Sequence, residues 1–240
     1  MSNRLPNREA CRAAGRTGVG RAVPANRPFD PGAWLGDDRL FTPLSHEPRY
    51  DYPLLVWLPE SLPASSEARG FDLSRVMKRV SLRNYVAVQP AGHPDDLEEA
   101  VWRSIDRVSS RVAIHPERIF LVGQGRGGCD AFRIACRHPR AFGGVVSLGG
   151  PFPLDEGLFG RLADVRRLPM LLCCRRSTVA DAAAHTDRTL RLFHAAGAAL
   201  AMRIYPGSSD LSKAVLADVN RWIMDEVCGT HAAVPTLSAS

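Results

Sequence analysis

The stretch that most constrains this chain is Arg118-Ile119-Phe120-Leu121-Val122-Gly123-Gln124-Gly125-Arg126-Gly127-Gly128-Cys129 and the residues that follow it. An apolar run at 119–122 breaks into glycines, then into a helical pattern with apolar residues at Phe132, Ile134 and Ala135. A strand, a sharp turn and a helix accommodate that order. The apolar run suits a strand covered on both faces, and the glycines can adopt the positive φ values that other residues avoid.

The rest of the chain repeats the alternation. Residues 54–58 form a continuous apolar run, 85–88 and 170–174 do the same, and 144–148 and 200–205 are mostly apolar with Ser147 and Arg203 as their polar members. Between these runs, 73–80, 95–111, 181–196 and 211–228 carry helical spacing. Asp95, Asp96, Glu98 and Glu99 sit where the helix dipole favours acids, and Gly197 supplies a left-handed stop. Strands alternating with helices predict a mostly parallel sheet with helices on both faces, in one α/β domain over 39–228. Residues 1–38 read as an Arg-rich arm, with Arg4, Arg8, Arg12 and Arg16 on one stripe and glycines and prolines that stop any longer helix. Its composition predicts a disordered, solvated segment, as does that of the tail over 229–240.

At 240 residues the chain has room for one core of this size. No apolar run reaches the ~18–20 residues of a membrane span, and the N-terminus lacks the apolar segment of a secretory signal. The net charge of +6 does not point to nucleic acid: Lys78 and Lys213 are the only lysines among 31 basic residues, a bias that looks compositional. The six cysteines show no Cys-x-x-Cys pair and no zinc spacing, which predicts buried reduced thiols and a cytoplasmic protein.

From about Phe41 to Cys228 the chain resembles the α/β-hydrolase superfamily, in its small bacterial esterase and phospholipase/carboxylesterase branch. The resemblance is carried by Tyr52-Pro53-Leu54-Leu55-Val56-Trp57-Leu58, by His115-Pro116-Glu117-Arg118-Ile119-Phe120-Leu121-Val122-Gly123, and by Arg137-His138-Pro139 ahead of Phe142-Gly143-Gly144. Leu192-Phe193-His194-Ala195-Ala196-Gly197 and Tyr205-Pro206-Gly207 continue it. It implies an α/β-hydrolase fold and ester or thioester hydrolysis by a Ser-Asp-His triad, with no metal or cofactor. In such a fold the turn after the central strand is a nucleophile elbow, Gly-x-Ser-x-Gly.

Here the elbow reads Gly123-Gln124-Gly125-Arg126-Gly127, so the nucleophile position is a glycine. By the same resemblance the acid position falls on Ser177 and the histidine position on Ser209, in the loop that leads to Asp210. The oxyanion loop, where the family has His-Gly, is Pro59-Glu60: proline offers no N–H, and a glutamate opposes a developing negative charge. Triad members act as a unit, so the expected function is that of a pseudo-hydrolase binding an unknown small molecule or protein at the former active-site cleft. Two alternatives stand beside it. One is an active carboxylic-ester hydrolase using other residues. The other is an anion- or nucleotide-binding module built on Gly123-x-Gly125-x-x-Gly128, although no acid follows the next strand to hold a ribose.

Arg126 opens a helix, where the dipole disfavours a cation, and is expected to pair with Glu60, Asp130 or Asp210 or to meet an anionic ligand. Asp210 and Arg126 are the candidate lining of the cleft. Cys129, Cys136, Cys173 and Cys174 read as packing residues, and His115, His138 and His194 as structural ones.

Overall fold

The computed structural model describes residues 34–60, 71–92, 94–150, 165–175, 191, 193–195, 197–207 and 210–228. Its strands are β1 (Trp34–Leu35), β2 (Asp38–Phe41), β3 (Tyr52–Leu58), β4 (Val86–Gln89), β5 (Ile114–Gln124), β6 (Gly144–Leu148), β7 (Met170–Arg175) and β8 (Leu200–Tyr205). They form one sheet in the order β1-β2-β4-β3-β5-β6-β7-β8. β2 runs antiparallel to β1 and to β4; every other pairing is parallel. The α/β sheet expected from the alternation is present. Every residue of β3 and β6 is buried, which is why 54–58 reads as an unbroken apolar run and Ser147 is the one polar side chain in β6.

Four described helices cover the sheet: α1 (Leu73–Val80), α2 (Leu97–Ser109), α3 (Arg126–Arg137) and α4 (Lys213–Cys228). Alternate strand residues feed the two faces. Leu54, Val56, Val88, Leu121 and Val145 pack against Val101, Ile105, Phe132 and Ala135 of α2 and α3. Leu55, Trp57, Ala87, Val122 and Val146 pack against Val76, Met77, Leu216 and Val219 of α1 and α4. In α1 the spacing of Leu73, Val76, Met77 and Val80 makes one buried face, and the Asp72 carboxylate accepts from the Arg75 N–H at 3.0 Å to cap the helix. Such a cap contributes about 1 kcal/mol.

Two boundaries differ from expectation. The arm was expected to extend through residue 38, but the sheet takes in Trp34, Leu35 and Asp38. A two-residue turn at Gly36 (φ +69°) and Asp37 folds β1 onto β2. Asp38 is 2% exposed because its carboxylate has three partners: the Ala91 N–H at 2.9 Å, the Ser104 hydroxyl at 2.9 Å and Arg107 Nη1 at 3.3 Å. A charged pair in a two-residue hairpin gives no periodic signal, and burial of Asp38 depends on partners some 50 to 70 positions away. The second difference is smaller. The helix expected at 95–111 begins as a 3-10 turn at Pro94–Asp96 before α2.

Of the helix expected at 181–196, only Arg191 and residues 193–195 are described, and these are helical; Gly197 follows with φ +67°. Residues 1–33 and 229–240 lie outside the described residues.

Candidate functional site

The chain leaves β3, crosses to β4 on one side and returns to β5 on the other, so β3 and β5 flank the point where the winding direction reverses. In open parallel sheets the crevice beyond the strand ends at such a point is where ligands are held. At this point stand Pro59 and Glu60, which follow β3, and Gly125, which follows β5.

Gly125 has φ +54° and ψ −122°, near the first corner of a type II′ turn, where glycine fits without strain. Its N–H donates to the Leu148 carbonyl at 2.9 Å, and its carbonyl accepts from the Gly128 N–H at 3.0 Å. The neighbouring glycines are required by contact distance. A Cβ on Gly123 would fall 2.1 Å from the Gly127 carbonyl oxygen, and one on Gly127 would fall 2.3 Å from that of Leu58. One on Gly128 would meet the Ser147 hydroxyl at 2.4 Å. Together they let the start of α3 rest directly on the ends of β3, β5 and β6.

The space above Gly125 is filled by Glu60. A Cβ built on Gly125 would lie 2.9 Å from Cγ and Cδ of Glu60 and 3.0 Å from its Oε1. A carboxylate therefore stands at the start of α3, where the helix dipole is favourable to it. Helix α3 supplies no anion of its own there: Gly125 offers no capping side chain, and no acid occupies the first turn.

A second carboxylate lies one strand over. The Asp210 carboxyl occupies the place a side chain on Gly149 would take, 2.4 Å from a Cβ built there, and Gly149 accepts this with φ +69°. Asp210 pairs with Arg175 Nε at 3.2 Å. Burial holds the Asp210 carboxyl above its usual range; Arg175 works against this and the charge on Glu60 adds to it. Beside it the Cys174 thiol is pushed up to about 11, by burial first and by Asp210 second, and on the opposite face burial takes Cys173 up to about 12. Neither is a thiolate at neutral pH, which fits the expectation that they pack and do not act as nucleophiles.

Arg126 does not make the pairing expected of it. It is exposed and has no ion pair among the described residues, because Asp130 is held by Arg133 at 2.7 Å and Asp210 by Arg175. Ser177 and Ser209, the expected acid and histidine positions, lie outside the described residues. Of the four described histidines, two stand at the starting ends of β3 and β5, away from the end at which Gly125 follows β5. His46 stacks on Tyr52 where β3 begins, and His115 is the second residue of β5. His138 follows α3 and meets Glu98 at 2.6 Å, and His194 precedes Gly197 and β8.

Between α1 and the elbow runs a groove of about 440 Å³ that sequence reasoning did not foresee. Glu60 and Gln124 line it from the strand ends, Phe71, Arg75, Val76 and Arg79 from the α1 side, and Leu211 from the chain entering α4. The one available signal was the four-residue spacing of Arg75 and Arg79. Among the described residues no group of three His, Cys, Asp or Glu side chains is placed to hold a metal, and no helix is long and apolar enough to cross a membrane.

No family model matches the chain. A segment of 49 residues is 33% identical to the putative esterase NocK of Nocardia uniformis subsp. tsuyamanensis, and spans 20% of this chain and 14% of that protein. Solved structures align far more broadly. A ferulic acid esterase superimposes with a TM-score of 0.60 at 14% identity, over 79% of this chain and 92% of its own. A fungal esterase from Rhizomucor miehei gives 0.60 at 11%, over 81% and 79%. The S-formylglutathione hydrolase of Staphylococcus aureus gives 0.55 at 13%, over 79% and 92%. With the strand order above, these likenesses establish the α/β-hydrolase fold; at such identities they speak to the fold alone.

Proposed function

We propose that this chain keeps the α/β-hydrolase fold as a binding scaffold and does not hydrolyse esters through an acyl-serine. The observation that carries the reading is the Glu60 carboxyl above Gly125. The position from which a serine would attack has no side chain, and the space its hydroxyl would need holds an anion. An ester carbonyl brought there would meet a negative charge where a hydrolase presents hydrogen-bond donors, the reverse of what stabilises a developing oxyanion. His46 and His115 at the starting ends of β3 and β5, and the Cys174 thiol that burial pushes up to about 11, support the same reading.

In this proposal the crevice at the β3–β5 reversal, with its adjoining groove, binds a small molecule or partner, and the chain acts in the reducing cytosol that its cysteine usage suggests. The experiment is a hydrolysis assay with short and medium acyl esters on the purified full chain, run beside labelling with a fluorophosphonate probe. Absence of both turnover and labelling is the expected result. Turnover that disappears on replacing one particular Ser or Cys would overturn the proposal and identify a different nucleophile.

A further inference from the structure

The groove between α1 and the elbow has charges of both signs, and which of them are already committed decides what it can hold. Asp72 spends its carboxylate on the N-terminus of α1. Asp210, beyond the groove, is paired with Arg175. Glu60 stands over Gly125 at the positive end of α3. The guanidinium of Arg75, by contrast, is exposed and has no hydrogen bond or ion pair among the described residues. Arg79 spends one N–H on the Leu211 carbonyl, at 3.4 Å. Glu60 has no hydrogen bond or ion pair among the described residues either, so it remains a negative charge on the elbow wall, while the α1 wall opposite it carries positive charge. That positive charge comes from two side chains four residues apart, on one side of a helix whose opposite face is fixed in the core.

Resting on the reading of a ligand-binding cleft, we propose that this groove takes an organic anion with a short apolar chain, either a carboxylate or a phosphate monoester. Arg75 and Arg79 hold the anionic head, and Phe71, Val76 and Leu211 provide the surface for the chain. Guanidinium suits this task because its planar fork of N–H donors matches carboxylate and phosphate oxygens two at a time. Phe71 is a fixed wall for such a chain, since its ring stacks on the buried Trp57 at 5.5 Å and its carbonyl accepts from Arg39 Nη1. Glu60, on the far wall, repels an anion and so sets which end of the ligand points away from the elbow.

The test is calorimetric titration of the full chain at low salt with four probes of one chain length: hexanoate, hexyl phosphate, hexylamine and hexanol. Hexanoate or hexyl phosphate is expected to bind at least about tenfold more tightly than the other two, with affinity falling as salt is added. The double variant Arg75→Gln/Arg79→Gln is expected to lose at least about tenfold, and Glu60→Gln to tighten binding. Both arginines are exposed, and a circular dichroism melt of the double variant checks that the fold is kept. Preferential binding of hexylamine, equal binding of hexanol, or no saturation by either anion would overturn the anion assignment while leaving the cleft reading in place. Ester turnover or fluorophosphonate labelling would instead remove the cleft reading itself, whichever probe binds.

Discussion

The carboxyl carbon of Glu60 lies 2.9 Å from the point at which a side chain on Gly125 would begin. Placing serine at that position would impose two separate costs: displacement of Glu60, whose flexible end can move, and a positive φ that cannot. We expect Gly125→Ser to lower stability by about 1–3 kcal/mol and the melting temperature by roughly 2–4 °C per kcal/mol, with no gain of esterase activity. The double variant Gly125→Ser/Glu60→Ala should recover only part of the loss, because it removes the contact and leaves the backbone strain. A thermal melt of the three proteins decides it. A rise in melting temperature for Gly125→Ser would show that the corner is not strained for a side chain.

Asp38 is the buried node of the hairpin β1–β2. Replacing it with alanine leaves the Ala91 N–H and the Ser104 hydroxyl without their acceptor and frees Arg107. The expected loss is about 2–4 kcal/mol in urea unfolding. A loss below about 1 kcal/mol would mean that the hairpin opens independently of the rest of the sheet.

The Glu98 carboxyl is held below its ordinary value. Burial pushes it up, but hydrogen bonds from His138 at 2.6 Å and Arg137 at 3.0 Å, with their charges, outweigh that. A carboxylate with a depressed folded pKa contributes stability above its unfolded value of 4.5, and that stability is lost as pH falls through the lower folded value. Glu98→Gln should therefore flatten the acid side of the melting temperature against pH below about 4.5. An unchanged acid limb would remove Glu98 as its source.

Asp210 behaves in the opposite sense. Its carboxyl is raised above 3.8 by burial and by Glu60, against the pull of Arg175, so the folded state binds this proton more tightly than the unfolded chain. Its charge opposes folding at neutral pH, and the penalty is relieved as pH falls through the folded pKa. Glu60→Gln should lower the Asp210 titration midpoint, read by carbon NMR of the side-chain carboxyl. A midpoint that does not move would mean the two carboxylates do not sense one another.

Cys173 and Cys174, with thiols at about 12 and about 11, should resist iodoacetamide in the native protein at pH 8 and react fully in urea. Mass mapping of the alkylated peptides reads both states. Rapid native alkylation of Cys174 would show a thiolate at the crevice and reopen the question of a nucleophile there.

The fold was legible because it rests on local signals: apolar runs long enough for buried strands, helical spacing in 73–80, and the glycine break at 123–128. The hairpin at Trp34 to Phe41 was not, since its stability comes from Ser104, Arg107 and the Ala91 backbone, far along the chain. At the site, Gly125 and Glu60 are far apart in the chain, and no local signal brings them together. That the side chain of Glu60 lies on Gly125 depends on β3 and β5 being adjacent and in register from Leu54↔Ile119 to Leu58↔Gly123. Two of the carboxylates expected near Arg126 are taken up for a related reason: Asp130 has a closer arginine on its own helix, and Asp210 has one on the neighbouring strand.

The contacts of Gly123, Gly127 and Gly128 separate two kinds of information that a pattern such as Gly-x-Ser-x-Gly runs together. The outer glycines report how closely a helix is seated on three strands, and they would be needed whatever the crevice does. The middle position alone reports on chemistry. A search keyed to the glycine frame groups this chain with proteins of the same fold, and a search that insists on the serine passes over the architecture. Read separately, the outer positions carry the shape of the turn and the middle position its chemistry.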